Sequence, residues 1–302
     1  MAPVFHSGER AVQARAGQHE LAESLGKSIR SAIPAVARAF VHAQPMAIIG
    51  AVDARGRRWA SLLTGKPGFL RIADEETILI DARAAMGDPL AERPAAEGPL
   101  GMIVIDFAAR RRMRLNGWAE SRPDGTILVH AQQVYANCPK YIQARRWEWA
   151  AGARDEPAKS RRTRSLTEQQ QRLIREADTF FIASSHKDGG ADASHRGGNP
   201  GFAHVVNETK LIWPDYSGNG LFQTLGNLAA DPRAGLLFMD FEGGNTLQLT
   251  GTARIVWDEN HTAAFPGAER LLEYEIEEVV ELAGANPLRW TFIEYSPFNP
   301  GG

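Results

Sequence analysis

The chain holds one cysteine, Cys138, among 302 residues. No disulfide can close within it, and such thiol usage fits a reducing compartment. Charge of one sign is also missing: 34 Lys and Arg against 36 Asp and Glu leave a net −2. Nothing global therefore draws the protein to nucleic acid or to an anionic membrane. Long apolar runs are absent. Met46–Val52 and Gly101–Phe107 are the longest, far short of the ~20 residues that a membrane-spanning helix needs. The opening Met-Ala-Pro-Val-Phe-His lacks the basic-then-apolar pattern of a signal peptide. A cytoplasmic protein without membrane or nucleic-acid partners is expected.

Catalytic fingerprints are equally scarce. There is no G-x-x-x-x-G-K-[ST] or G-x-G-x-x-G run and no G-x-S-x-G elbow. Ser194 precedes His195 directly, and adjacent strand side chains point to opposite faces, so the two do not form a hydrolase pair. Eight histidines are scattered without H-x-x-x-H spacing or a Cys/His cluster, so no metal centre is expected.

What remains is an ordinary globular composition, 43% apolar and 23% charged, long enough for two domains. An Ala/Gln/Glu-rich helical stretch runs to residue 31, and Pro34 suits the first turn of a helix over Ala35–His42. Short apolar segments separated by turn clusters follow and read as strands. Asn137-Cys-Pro-Lys140 resembles a helix start, predicting a helix over Tyr141–Trp149 with Cys138 at its N-terminus. Residues 151–165 carry no periodicity and read as a linker. Thr167 with Gln170 forms a capping box that opens another helix.

The second half repeats the first. With a shift of roughly 133 residues, Ile48-Ile-Gly-Ala falls on Phe181-Ile-Ala-Ser, and Trp59–Phe69 falls on Asp192–Phe202. Ile105-Asp-Phe falls on Met239-Asp-Phe, and Leu115–Ala119 on Leu249–Ala253. Each copy reads as a helix followed by short strands, which predicts a duplicated, mainly β, antiparallel barrel with flanking helices. Leu271–Leu282 fits helical spacing but also alternates, and strand is the expectation. The expected organisation is a helical segment plus a first unit over 1–150 with a degenerate ligand site, a linker over 151–165, and a second unit over 166–302.

The copies differ where a ligand would sit. In the second, Asp192-Ala-Ser-His-Arg-Gly-Gly-Asn-Pro-Gly-Phe202 ends a strand in a glycine turn. Successive backbone N–H groups can cradle an anion there, and Arg196 adds a fork of donors. Ser217-Gly-Asn-Gly220 precedes an apolar helix start, another anion site. In the first copy, Leu62 and Leu63 replace His195 and Arg196, and Gly87-Asp88-Pro89 replaces Gly218-Asn219-Gly220. Leucine cannot hold a phosphate, so the second copy keeps the site. Both turns could instead be structural. Arg110-Arg-Arg-Met-Arg114 would place alternate arginines on one strand face, towards a ligand or towards solvent.

Phe5–Arg15, Trp59–Gly65, Asn137–Gln143, Ala193–Phe202, Gly218–Asn227 and Pro232–Phe238 together resemble the pyridoxamine 5′-phosphate oxidase-like, FMN-binding split-barrel family, in its long two-unit form. The resemblance implies a six-stranded split barrel per unit, pairing as a homodimer, and FMN in the groove between barrels. Carried over by position, Ser194, His195, Arg196 and Gly197 would meet the phosphate and ribityl chain. Pro214 and Asp215 would lie by the ring, Asn219, Thr224 and Asn227 near the phosphate, and Thr246 and Gln248 beside the ring. The chain departs from true pyridoxamine-phosphate oxidases in its C-terminal segment, Leu288–Gly302, which lacks their Arg-containing substrate motif. Its phosphate turn also carries Gly-Asn-Gly.

Two functions follow as expectations. One is an FMN-dependent oxidoreductase acting on a small molecule or nicotinamide, with no obligatory acid or base beyond His195 and Asp215 as candidates. The other is a flavin- or haem-binding carrier or sensor, with His195 or His204 as an axial ligand.

Overall fold

The computed structural model describes residues 4–91, 97–150, 158–218 and 220–301. After helices α1 (Ser7–Arg15), α2 (His19–Gly26) and α3 (Ala37–Ala43) come seven strands: β1 (Met46–Val52), β2 (Arg58–Thr64), β3 (Leu70–Ile72), β4 (Thr77–Ile80), β5 (Gly98–Asp106), β6 (Arg111–Ser121) and β7 (Ile127–Ala136). Strands β8 (Ala144–Trp149) and β9 (Lys159–Thr163) and helix α4 (Glu168–Glu176) lead into the second series. This holds β10 (Thr179–His186), β11 (Gly190–Gly197), β12 (His204–Asn207), β13 (Lys210–Tyr216), helix α5 (Gln223–Ala230), β14 (Arg233–Met239), β15 (Thr246–Val256), β16 (Ala268–Ala283) and β17 (Leu288–Glu294).

The sheets run β2-β1-β5-β6-β7-β4-β3 and β11-β10-β14-β15-β16-β13-β12, one order used twice with antiparallel pairing. The fold is a duplicated antiparallel split barrel. Each path counts seven strands where six were expected, because the short β3 and β12 extend the edge. Even the bulges coincide, at Asn116/Gly117 and Thr250/Gly251.

Alternation explains the runs of unbroken apolar residues in β1 and β10. Ala47, Ile49 and Ala51 face the first barrel's core, and Phe180 and Ile182 face the second's. Met46, Ile48, Phe181 and Ala183 point the other way, into a third cluster between the units. Both faces of these strands are buried, so neither face needs polar residues. Close approach of the units requires glycine at two related positions. A Cβ on Gly101 would overlap the Asp192 backbone, and one on Gly235 would overlap Arg58 and Trp59.

Two segments depart from expectation. Tyr141–Trp149 is not a helix: after one turn, Tyr141 adopts φ 66°, which ends helical propagation, and β8 pairs with β17 instead. Within the expected linker, 151–157 lie outside the described residues, while β9 pairs with the far end of β16. β13 covers only residues 268–275 of that long strand, and β9 satisfies backbone groups that would otherwise form a bare edge. The expected strand at Leu271–Leu282 lies within β16, and the Thr167–Gln170 capping box closes in both directions.

Helix α1 packs on α5 through Gly8 and Gly226, where an added Cβ would meet the facing backbone. This contact buries Glu9, whose Oε2 accepts the His6 N–H at 2.8 Å. Burial, with Asp192 nearby, pushes the Glu9 carboxyl up to about 8.

Two outcomes follow. Gly101→Val should lower unfolding free energy by about 1–3 kcal/mol through overpacking between the units, read as a fall in the urea midpoint. For Glu9, the folded chain holds a proton that the unfolded chain releases near its ordinary 4.5. Its contribution is therefore complete below that value and is lost as pH rises towards about 8. Urea unfolding across this window should show a decline in the native protein that Glu9→Gln removes.

Candidate functional site

The end of β11 lies in register with β10, with His195 opposite Phe181 and Arg196 opposite Phe180. Strand alternation sends these two side chains to opposite faces. His195 points between the units, edge-on to Phe181 and Phe107. Arg196 shares the other face with Ser194, donating to its Oγ at 3.2 Å. Gly197 is obligatory because a Cβ would collide with the Tyr141 carbonyl.

These residues form one wall of a narrow cleft that holds about 60 Å³ of space for water-sized groups and opens to solvent. Pro214, Asp215 and Tyr216 of β13 and Gln223, Thr224 and Leu225 of α5 continue that wall. Asp215 faces Arg270 of β16 at 3.5 Å. Burial raises its carboxyl pKa above the ordinary value, against the pull of Arg196 and Arg270. Helix α5 starts from Phe222 in the left-handed region (φ 58°), without a side-chain cap. Its first N–H groups are therefore left for another acceptor.

The opposite wall comes from the first unit: Ile103, Arg112, Arg114, Asn137, Cys138, Lys140 and Tyr141. Arg112 Nη1 lies 2.8 Å from His195 Nδ1. Burial, with Arg114 and Arg196 close by, pushes Arg112 down to about 9, which leaves it protonated at neutral pH. Burial and the cations Arg112, Arg196 and Arg145 hold the His195 imidazole well below its ordinary range. Arg114 pairs with Asp192, which also accepts from Asn116 (3.3 Å) and Thr224 (3.2 Å). Tyr141 hydroxyl donates to the Ser217 carbonyl at 2.7 Å, and its ring lies 5.2 Å from that of Tyr216.

Ser194, His195, Arg196, Gly197, Pro214, Asp215 and Thr224 are thus brought together. Asn219 lies outside the described residues. Three of the expected residues do not line this cleft. Asn227 turns away from the cleft, donating to Ser184 Oγ (3.0 Å) and accepting from His6 Nε2 (2.9 Å), because it sits on the α5 face that packs on α1. Thr246 and Gln248 do not line the cleft either. Strand pairing makes them the counterparts of Arg112 and Arg114, and in a duplicated fold the strand facing a site belongs to the other unit. Gln248 Nε2 instead donates to Ala60 O (2.9 Å) and Ser61 Oγ (3.0 Å). Ser61 donates to Asp88 at 2.6 Å, and burial pushes the Asp88 carboxyl up to about 6. Gln248, Ser61 and Asp88 thus bond to one another at the corresponding place. His204 is exposed, its ring beside Phe265, and takes no part in the cleft.

Lys140 and Tyr141 were left out of the expected site, and Arg112 and Arg114 entered only as a strand face turned towards a ligand or towards solvent. Alternation in Arg110–Arg114 was the visible sign of the two arginines. The lining carries four cations against one carboxylate, Asp215. Several buried polar atoms of the lining have no protein partner: His195 Nε2, Arg112 Nε, Arg114 Nη1 and both amide atoms of Gln223. Natural proteins leave few such groups unpaired, and here most are donors. The set suits an anionic, acceptor-rich ligand, and a phosphorylated flavin fits that description.

Among solved structures, the chain is similar to an FMN-binding protein from Syntrophomonas wolfei (8% identity, 37% of this chain and 84% of that one, TM-score 0.29). It is likewise similar to an FAD-binding protein from Mesorhizobium loti (15%, 41% and 98%, 0.27). A third is a pyridoxinephosphate oxidase-family protein from Clostridium acetobutylicum, related to general stress protein 26 (12%, 40% and 89%, 0.29). No curated protein matches the chain. Residues 166–291 match the family described as pyridoxamine 5′-phosphate oxidase. This span runs from the capping box of α4 through both cleft-lining strands of the second unit to β17, so the second unit is similar to the pyridoxamine 5′-phosphate oxidase family.

Proposed function

We propose that the protein is a flavin-dependent oxidoreductase that binds one FMN per chain in the cleft between its two units and acts on a small molecule or nicotinamide. The observation that carries this reading is the convergence of Arg112, Arg196 and the uncapped start of α5 on one cleft. Those groups would hold the phosphate, since guanidinium forks and helix N-terminal N–H groups both suit phosphoryl oxygens. Pro214, Tyr141 and Tyr216 would flank the planar ring, and the Tyr141–Ser217 hydrogen bond would limit water entry. When bound, the flavin supplies hydride or electron transfer. The protein contributes binding, orientation and exclusion of water.

The division into units bears on stoichiometry and assembly. The pairing that the resemblance assigns to two chains is built within one, because both walls come from the same polypeptide. A homodimer remains part of the reading but is not needed to complete the groove. The first unit, with Leu62, Leu63 and the Ser61–Asp88–Gln248 bonds, holds no second cofactor.

Purified protein should show flavin absorbance at one equivalent per chain, with FMN as the species released on denaturation. The bound flavin should bleach with NAD(P)H or substrate and recover in air. A flavin that binds but never changes redox state would instead make the protein a carrier. Arg196→Leu, the residue of the first unit, should weaken FMN binding by about 10- to 150-fold, the worth of a charged hydrogen bond of roughly 1.5–3 kcal/mol. The thermal transition should be retained. Unchanged affinity in that variant would overturn the proposed phosphate site.

A further inference from the structure

His195 is 4% exposed and meets a charged group of the other unit at a single ring nitrogen. Arg112 Nη1 lies 2.8 Å from its Nδ1. A guanidinium carries five N–H donors and no acceptor, so Nδ1 must accept through its lone pair. A neutral imidazole with Nδ1 accepting carries its proton on Nε2. That second nitrogen is buried and has no protein partner, on a residue that lines the cleft. The imidazolium is opposed from three strands: Arg112 on β6, Arg196 on the histidine's own β11, and Arg145 on β8.

We propose that Arg112 is a positioning residue that fixes His195 as the Nε2–H tautomer, making it a directed hydrogen-bond donor for an acceptor atom of the ligand in the cleft. That acceptor is a carbonyl oxygen, a ring nitrogen or a phosphoryl oxygen. Its assignment to FMN rests on the proposed function, whereas the tautomer does not. Two consequences separate this role from those expected of the residue. A metal or haem iron needs the Nε2 lone pair. Freeing it would move the proton to Nδ1 and set two donors against each other across the Arg112 contact. His195 is therefore no axial ligand. Nor does it act as an imidazolium acid, since the proton that it presents belongs to the neutral ring. The first unit cannot offer the same donor, because Leu62 stands where His195 does and Thr246 where Arg112 does.

The test is a long-range ¹H–¹⁵N correlation spectrum of histidine-labelled protein, with His195→Gln assigning the signal. A protonated Nε2 and an unprotonated Nδ1, unchanged from about pH 5 to 8, are expected, well clear of ordinary histidine titration near ~6.5. Arg112→Met should release the ring to mixed tautomers and ordinary titration, while Arg112→Lys, which keeps a cationic donor, should restore the native pattern. A protonated Nδ1 or an imidazolium at neutral pH in the native protein would overturn the proposal.

Two probes then locate the acceptor. A shift of the Nε2 proton with FMN but not with inorganic phosphate assigns it to the ring or ribityl part, and a shift with both assigns it to the phosphoryl group. Bound FMN with no shift overturns the donor role. Absence of FMN binding by absorbance would sink the flavin reading separately, and the free-protein spectrum would still decide the tautomer. His195→Gln, which keeps an N–H donor near Nε2, should retain most of the FMN affinity. His195→Leu should lose about 2- to 12-fold, the size of one neutral hydrogen bond. Equal losses in the two variants would count against a donor role.

Discussion

The buried pair of Arg114 and Asp192 joins the two halves of the molecule at the point on which the cleft depends. Each residue is 1% exposed. Breaking such a pair from one side typically costs about 3–5 kcal/mol, because the surviving charge is left buried and alone. Arg114 stands on β6 and Asp192 on β11, so the bond crosses from one unit to the other. Asp192 accepts as well from Asn116 of the first unit and from Thr224 in the first turn of α5. One carboxylate thereby sets the spacing between the arginine wall, the histidine strand and the helix start. Glu9 lies close enough to add its own electrostatic cost to this group, which fits its retaining a proton.

The same place in the first unit is filled differently. Trp59 occupies the position of Asp192, fully buried, and spends its one polar atom on Asp53 at 3.0 Å. An indole in place of a carboxylate removes the need for a charged partner, and Gln248 stands where Arg114 does. Symmetry of the backbone is thus kept while the polar groups differ: one groove is lined by cations, and its counterpart carries Gln248, Ser61 and Asp88 bonded to one another. The barrel cores diverge too. Strand pairing sets Val129 against Tyr274, Ile80 against Trp213, Ala47 against Phe180 and Val104 against Phe238. Phe180 packs within 5.1–5.6 Å of the rings of Phe202, Trp213 and Phe238. This stiff aromatic body stands behind the wall that carries Arg196.

Much of the architecture was legible in the linear order of residues. The repeat, the short strands, the capping box at Thr167 and the strand at Leu271–Leu282 all depend on local periodicity or on neighbours a few positions apart. The glycine turn after Arg196 and its loss in the first copy were equally visible, because the chain supplies its own comparison. The failures share a cause. Asn137-Cys-Pro-Lys140 has the composition of a helix start, yet the segment must carry the Tyr141 carbonyl over Gly197 and deliver β8 to β17, and these distant demands override the local preference. The same holds for β9, whose partner lies more than a hundred residues away.

What the sequence by itself determined was therefore the duplicated antiparallel barrel and the half of the site carried on β11, β13 and the start of α5. Those features are encoded by alternation, turn chemistry and the contrast between copies. Only the tertiary structure decided what faces them. Thr246 and Gln248 belong to the same repeat as His195, but the packing of the units sends them to the opposite groove and brings Arg112 and Arg114 in their place. Alternation puts Arg112 and Arg114 on one strand face but does not say what that face meets, because each contact across the interface is set by the apposition of two surfaces far apart along the chain.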